Sequence, residues 1–220
     1  MADLVIETRS WHAFGEDPLP SVHVDYVSHS LLPLHVQDAR KFRAAVAEPH
    51  GRAWIIGLLS KRYHLPVLSA LRPSRDDSVL AALSTESWQI MKHACGLMAW
   101  APMLAREVRA PVLRQLDLEI GASWWDWVEL GLREPMDNHA AMFSIPPVDP
   151  QEWMSRIQQA GNDVLRVWRD GLDADLAKWV TLKEAPHGMA PSDTAQMDST
   201  RAKRLLSRLK EMLAINGETA

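Results

Sequence analysis

The chain has 220 residues and a mass of 24.8 kDa, with 47% hydrophobic and 24% charged residues, so it can bury a sizeable core and is not intrinsically disordered. Twenty-four lysines and arginines face 28 aspartates and glutamates, and the net charge of −4 gives no field favouring nucleic acid or an anionic membrane. The single cysteine, Cys95, excludes a disulfide framework and any multi-cysteine metal centre, and fits a reducing compartment.

The first twenty residues carry four acids and no apolar run, so they read as neither a secretory signal nor a transit peptide. The longest uncharged apolar stretch, residues 94–105, is far short of the roughly 20 residues a membrane span needs. A cytoplasmic protein is expected. Ten tryptophans stand against two tyrosines and three phenylalanines. Such rings either fill large gaps between helices or anchor a partner, since tryptophan is over-represented among interface hot spots.

Residues 1–20, with Gly15, Pro18 and Pro20, read as a loose N-terminal arm. From Val36 to Glu48 the spacing of Val36, Ala39, Phe42, Ala45 and Val46 predicts a helix. After Gly51, the stripe Trp54, Ile55, Leu58, Leu59 and Tyr63 predicts a second helix that stops before Pro66. Ser74 is a plausible cap for a short helix through Leu83. Residues 84–109 are helical in composition, with Trp88, Met91, Cys95 and Met98 on one face and Pro102 set to kink or end the helix.

Pro111 suits a first helical position, and Val112, Leu113, Leu116 and Ile120 line one side of the helix it opens, as far as Gly121. Trp124-Trp125-Asp126-Trp127 follows, closed by Gly131, and residues 133–149 read as a long loop. Asp149-Pro150-Gln151-Glu152 reads as a helix start, with Glu152 placed to close a capping box and Val148 and Trp153 in staple positions. That helix carries Trp153, Ile157, Ala160/Gly161, Val164 and Trp168 at a 3.6-residue period and ends before Gly171. Asp173 opens another helix with Leu176, Trp179 and Val180. Residues 186–199 read as a linker, and a last helix over 200–216 carries Leu205, Leu206, Leu209, Met212 and Leu213. No stretch alternates with period two. The expectation is an all-α protein, a single compact body over 21–185 with seven to nine helices in the chain.

No catalytic pattern emerges. Nine histidines form no i, i+4 pair on a helix and no H-E-x-x-H, so metal-ligand spacing is absent. None of the ten glycines builds a phosphate-binding loop, so no cofactor signature is present. Gly121-Ala-Ser123-Trp-Trp lacks the last glycine of a nucleophile elbow. Cys95, between Met91 and Met98 on an apolar face, reads as inert filler.

Trp124 and Trp125 have the acids Glu119, Asp126 and Glu129 around them, which suits core or partner packing better than base stacking. The last 22 residues carry five bases (Arg201, Lys203, Arg204, Arg208, Lys210) and two acids, a net +3 against −7 for the remainder. A basic amphipathic helix behind a linker can dock back on its own body, fill a partner's groove or lie on a membrane.

Three features in order resemble the K component of bacterial type III secretion sorting platforms, the SctK/YscK/OrgA–MxiK group with its Hrp-type relatives. Tyr26-Val27-Ser28-His29-Ser30-Leu31-Leu32-Pro33 is similar to the family's opening Tyr-hydrophobic-His-x-x-x-Leu-Pro segment, with the histidine displaced by one. Leu116-Asp117-Leu118-Glu119-Ile120-Gly121-Ala122-Ser123-Trp124 resembles the end of its Leu-rich helix pair. Ile157 to Gly161, Leu165 and Trp168, followed by Leu176, Trp179 and Leu182-Lys183, resemble a later pair, and a Leu/basic helix closes both. The resemblance spans residues 24 to 213.

It implies a non-enzymatic helical adaptor, cytoplasmic and held at the inner-membrane secretion apparatus by protein contacts. Its partners would be an SctD-type ring protein's cytoplasmic domain and an SctQ-type pod protein. Partner-binding candidates are Tyr26, Leu32, Pro33, Trp124, Trp125, Arg201, Arg204, Leu205, Arg208 and Leu209. Deleting 199–220, or replacing Leu205 and Leu209 by aspartate, is expected to leave the body folded and weaken partner binding. A competing reading is a small helical enzyme or ligand-binding protein with a Trp/Met-lined pocket and polar groups such as His93 or Asp126. A nucleic-acid binder built on the basic tail is a third, and it predicts affinity that falls steeply with salt.

Overall fold

The computed structural model describes residues 6, 8–31, 46–134, 147–185 and 199–217. The protein is all-α, and among the described residues there is no strand. The ten α-helices there, against an expected seven to nine for the whole chain, are α1 (Trp11–Glu16), α2 (Val24–Leu31), α3 (Pro49–Tyr63), α4 (Arg75–Ala82), α5 (Thr85–Leu104), α6 (Ala110–Glu119), α7 (Trp124–Leu132), α8 (Pro150–Asp170), α9 (Ala174–Thr181) and α10 (Ser199–Gly217). Most of the helix predicted over 36–48, the loop around Asn138 and the linker over 186–198 lie outside the described residues.

The body expected over 21–185 falls into two compact units, each built from separated stretches of chain. The first, unit A, draws on residues 8–88 and 172–185. Its core joins Phe14, Leu19, Val22 and Val27 to Ile55 and Leu59 of α3, Leu65, Leu68, Ala82, and Trp179 and Leu182. Phe14 stands edge-on to Trp179, with centroids 6.1 Å apart. The N-terminal arm is therefore not loose over 11–16. Ser10 caps α1 by accepting the Ala13 N–H, and burying Phe14 to 1% exposure fixes the helix in the core. The surrounding polar residues concealed a single deeply buried ring.

Polar ties cross unit A as well. Trp179 Nε1 donates to the Pro66 carbonyl at 3.0 Å, Ser21 Oγ to the Ala82 carbonyl at 3.3 Å, and the His23 N–H to the Leu182 carbonyl at 2.6 Å. Helix α3 ends at His64 in the left-handed region (φ 51°), where the Leu65 N–H reaches back to the Ser60 carbonyl and Pro66 prevents further winding. Ser74 caps α4 as its sequence predicts.

The second unit, unit B, draws on residues 89–171 and 199–217. From Met91 to Leu104, α5 is apolar around most of its circumference and carries Met91, Cys95, Leu97, Met98, Ala99 and Leu104 in the interior. It ends two residues after Pro102. Two glycines let α5 and α8 approach backbone to backbone: a Cβ on Gly96 would overlap the Ile157 carbonyl, and one on Gly161 the Lys92 carbonyl. Gly131 does not close α7 as expected but lies inside it, where a Cβ would stand 2.5 Å from the Met98 carbonyl oxygen. That is the carbonyl Pro102 cannot serve, because proline has no N–H.

Trp100 and Trp153 pack edge to face at 5.5 Å, and Trp100 Nε1 donates to the Arg156 carbonyl at 3.2 Å. Asp149 caps α8 through the Gln151 N–H, but Glu152 turns away to Arg156 at 2.6 Å, so the expected capping box does not form. Val148 is 80% exposed, so the staple to Trp153 is also absent. An arginine one turn ahead is a stronger charge-assisted partner for Glu152 than the cap N–H.

Candidate interaction surface

Seven of the ten tryptophans are buried, and Trp54 of unit A and Trp125 of unit B are exposed. Trp125 belongs to the corner between α6 and α7. Helix α6 ends with the Ile120 N–H on the Leu116 carbonyl and the Gly121 N–H on the Asp117 carbonyl. Gly121 then takes φ 96°, which only glycine adopts cheaply. The reversal brings Trp124 Nε1 to Asp117 Oδ1 at 2.8 Å. Along α7, Trp124, Trp127, Val128 and Gly131 face inward. A turn of about 100° per residue then sends Trp125, Asp126, Glu129 and Leu132 outward. Trp125 is 39% and Leu132 44% exposed, and Trp125 Nε1 donates to Glu129 Oε1 at 3.1 Å. Its ring stands edge-on to Trp124 at 5.3 Å. Of the two candidate tryptophans, Trp124 is thus a core residue and Trp125 a surface one.

The other candidates scatter. Tyr26 is half-buried in unit A, edge-on to Tyr63 at 5.1 Å. Leu32 and Pro33 lie outside the described residues. The C-terminal helix is not a free element: α10 packs on α8, with Leu205 at 1% and Leu209 at 0% exposure beside Leu206 and Ala202. Leu205 and Leu209 therefore have no surface to offer a partner in this conformation. Their stripe is buried intramolecularly because α8 and α5 supply an apolar wall within the same unit. The three arginine candidates are engaged too. Arg201 donates to the Ala99 carbonyl at 2.6 Å, and Arg208 pairs with Glu134 at 2.6 Å and Glu211 at 3.1 Å. Arg204 is half-buried and also engaged.

Lys183, just past α9, is fully buried, and sequence reasoning gave it no role of its own. Its Nζ donates to the Leu83 carbonyl and lies 5.7 Å from the Phe14 and 5.6 Å from the Trp88 ring centroid. Among the described residues no carboxylate pairs with it. Loss of hydration pushes its pKa well down, and the Arg9 guanidinium adds repulsion. Arg9 itself holds the Ala13 and Asp17 carbonyls through Nη2, while its buried Nη1 has no partner. A lone lysine at a helix end carries no sequence signal for such burial.

Burial pushes the Cys95 thiol well above its ordinary pKa, so it is not a nucleophile at neutral pH. His93 is lowered by burial first and by Lys92 second, with Glu119 opposing. Asp126 stands exposed on α7. Among the described residues no three His, Cys, Asp or Glu side chains gather where a metal could be held, and no helix is long and apolar enough to cross a membrane. No family model, no curated protein and no solved structure matches the chain.

Proposed function

We propose that this protein is a non-enzymatic adaptor of a bacterial type III secretion system, joining an SctD-type inner-membrane ring protein to an SctQ-type pod protein at the cytoplasmic face of the inner membrane. The observation that carries the reading is the ordered resemblance over residues 24–213 in an all-α chain. The described residues of these segments fall on a helix or helix junction: residues 26–31 on α2, then the α6–α7 corner, α8, and α9 with the turn after it. The exposed Trp125 adds an aromatic anchor of the kind that dominates protein interfaces. Pull-down of the full-length protein with the ring protein's cytoplasmic domain and with the pod protein tests it. Binding to neither overturns it.

Lys183 favours a second reading, a protein whose interior amine meets a small ligand. Burial drives this amine toward its neutral form, which is the nucleophilic one. Trapping with pyridoxal phosphate and borohydride, read by mass spectrometry, would label Lys183 if this reading held.

A further inference from the structure

We propose that the outer face of α7 docks a basic amphipathic helix of a partner protein. This rests on the reading of the protein as an interaction module, but not on its assignment to a secretion system. Trp125, Glu129 and Leu132 stand at i, i+4 and i+7, so they form one row along about two turns of an exposed helix face. The row is ordered before any partner arrives. Trp125 is held edge-on by Trp124 and tethered through its N–H to Glu129, so little side-chain entropy is lost when it is covered.

Charge selects the occupant. From Gln115 to Leu132 there are four carboxylates (Asp117, Glu119, Asp126 and Glu129) and no lysine or arginine. Elsewhere in unit B the acids Glu107, Glu134, Glu152 and Asp163 each pair with an arginine. Around α7 the donors are neutral: Asp117 takes the Trp124 N–H, Glu119 the Gln115 amide at 2.8 Å, and Glu129 the Trp125 N–H. No side-chain hydrogen bond or ion pair of Asp126 occurs among the described residues. These carboxylates are oriented without being neutralised. A partner helix with leucine or methionine against Trp125 and Leu132, flanked by arginines, would supply the missing cations and stack a guanidinium on the indole. The acid rim repels an anionic lipid surface for the same reason.

The test is fluorescence anisotropy of a labelled 18-residue Leu/Arg/Ala amphipathic peptide titrated with full-length protein, beside a peptide carrying glutamate for arginine. The arginine peptide should bind, weakening as salt rises, and the glutamate peptide should not. Trp125→Ala and the double variant Asp126→Arg/Glu129→Arg should each weaken binding about tenfold or more. Glu48→Arg/Asp76→Arg, which alters exposed acids of unit A, should leave it within about twofold. Equal losses in both charge-reversed proteins would show non-specific attraction and overturn the proposal. So would Trp125-dependent dimerisation in sedimentation, which would make a second copy the occupant. Failure of the peptide with ring- or pod-protein binding intact removes the surface and leaves the adaptor reading standing. Peptide binding without either partner does the reverse.

Discussion

The two units solve burial differently. Unit B stacks long helices until their backbones touch, with Gly96, Gly131 and Gly161 contributing no Cβ at the crossings. Its stability is a matter of shape, because a close-packed contact gains from many weak attractions and tolerates no added atom. Unit A joins short helices through aromatic edges, side-chain-to-carbonyl hydrogen bonds and one buried amine. Its stability is a matter of polar satisfaction, and hence of pH. The lesson is that two all-α cores in one chain can be sensitive to opposite kinds of change: volume in one, charge in the other.

The largest expected effect tests whether α10 belongs to unit B. Leu205→Asp/Leu209→Asp places two carboxylates in the apolar wall and should cost on the order of 5 kcal/mol or more. Amide exchange resolved by mass spectrometry should show α8 and α10 losing protection while α1 to α3 keep theirs. Protection retained in α8 would mean that α10 is dispensable. Next, Gly161→Ala should destabilise unit B by about 3 kcal/mol, since the new methyl meets a backbone carbonyl and not a movable side-chain tip. Gly57→Ala, with open space around its Cβ on α3, should stabilise slightly, by roughly 0.5 kcal/mol.

The helices on both sides of this contrast were legible in the sequence, the division into two units was not, and the limits have physical causes. Helix positions followed from apolar spacing, proline and capping residues, as at Ser74, Pro111 and Asp149. The small residues Gly131 and Gly161 read as punctuation or stripe positions, because spacing cannot say which helix crosses at a glycine. Phe14 and Lys183 were invisible for a related reason. Each is a single residue whose burial depends on distant chain: Phe14 on Trp179, Lys183 on Leu83 and Trp88. At the candidate site the Trp124-Trp125 pair was readable, but only the helix phase separates the inward ring from the outward one and adds Leu132 to the row.

A smaller effect sharpens the charge side of the comparison. The unfolded Lys183 amine holds its proton up to a pKa of about 10.4, and the folded one releases it well below that. In between, the unfolded chain binds more protons, so unit A gains stability as pH rises and levels off above about 10.4. Lys183→Met should remove that slope and stabilise unit A at pH 7 by about 1 kcal/mol, read from urea melts across pH. A slope unchanged in the variant would assign it to other groups.

The smallest effect lies at Glu107 in unit B, whose carboxylate is held at about 2, chiefly by the Arg109 side chain. Its folded pKa lies below the ordinary 4.5, so its contribution is complete above that value and fades as pH falls through about 2. Glu107→Gln should cost about 1 kcal/mol at pH 7 and much less near pH 2, where the wild-type side chain is already about half protonated. An equal cost at both pH values would mean that packing, not charge, is what the residue supplies.

The distribution of indoles makes the protein its own spectroscopic instrument. Trp54 and Trp125, one in each unit, meet water, whereas seven other rings are enclosed. Steady-state emission should therefore separate into a blue, protected majority and a red minority that acrylamide extinguishes first. Removing Trp54 by mutation would leave a quenchable signal dominated by Trp125, and its recovery on adding a binding partner would report coverage of α7 without any attached dye.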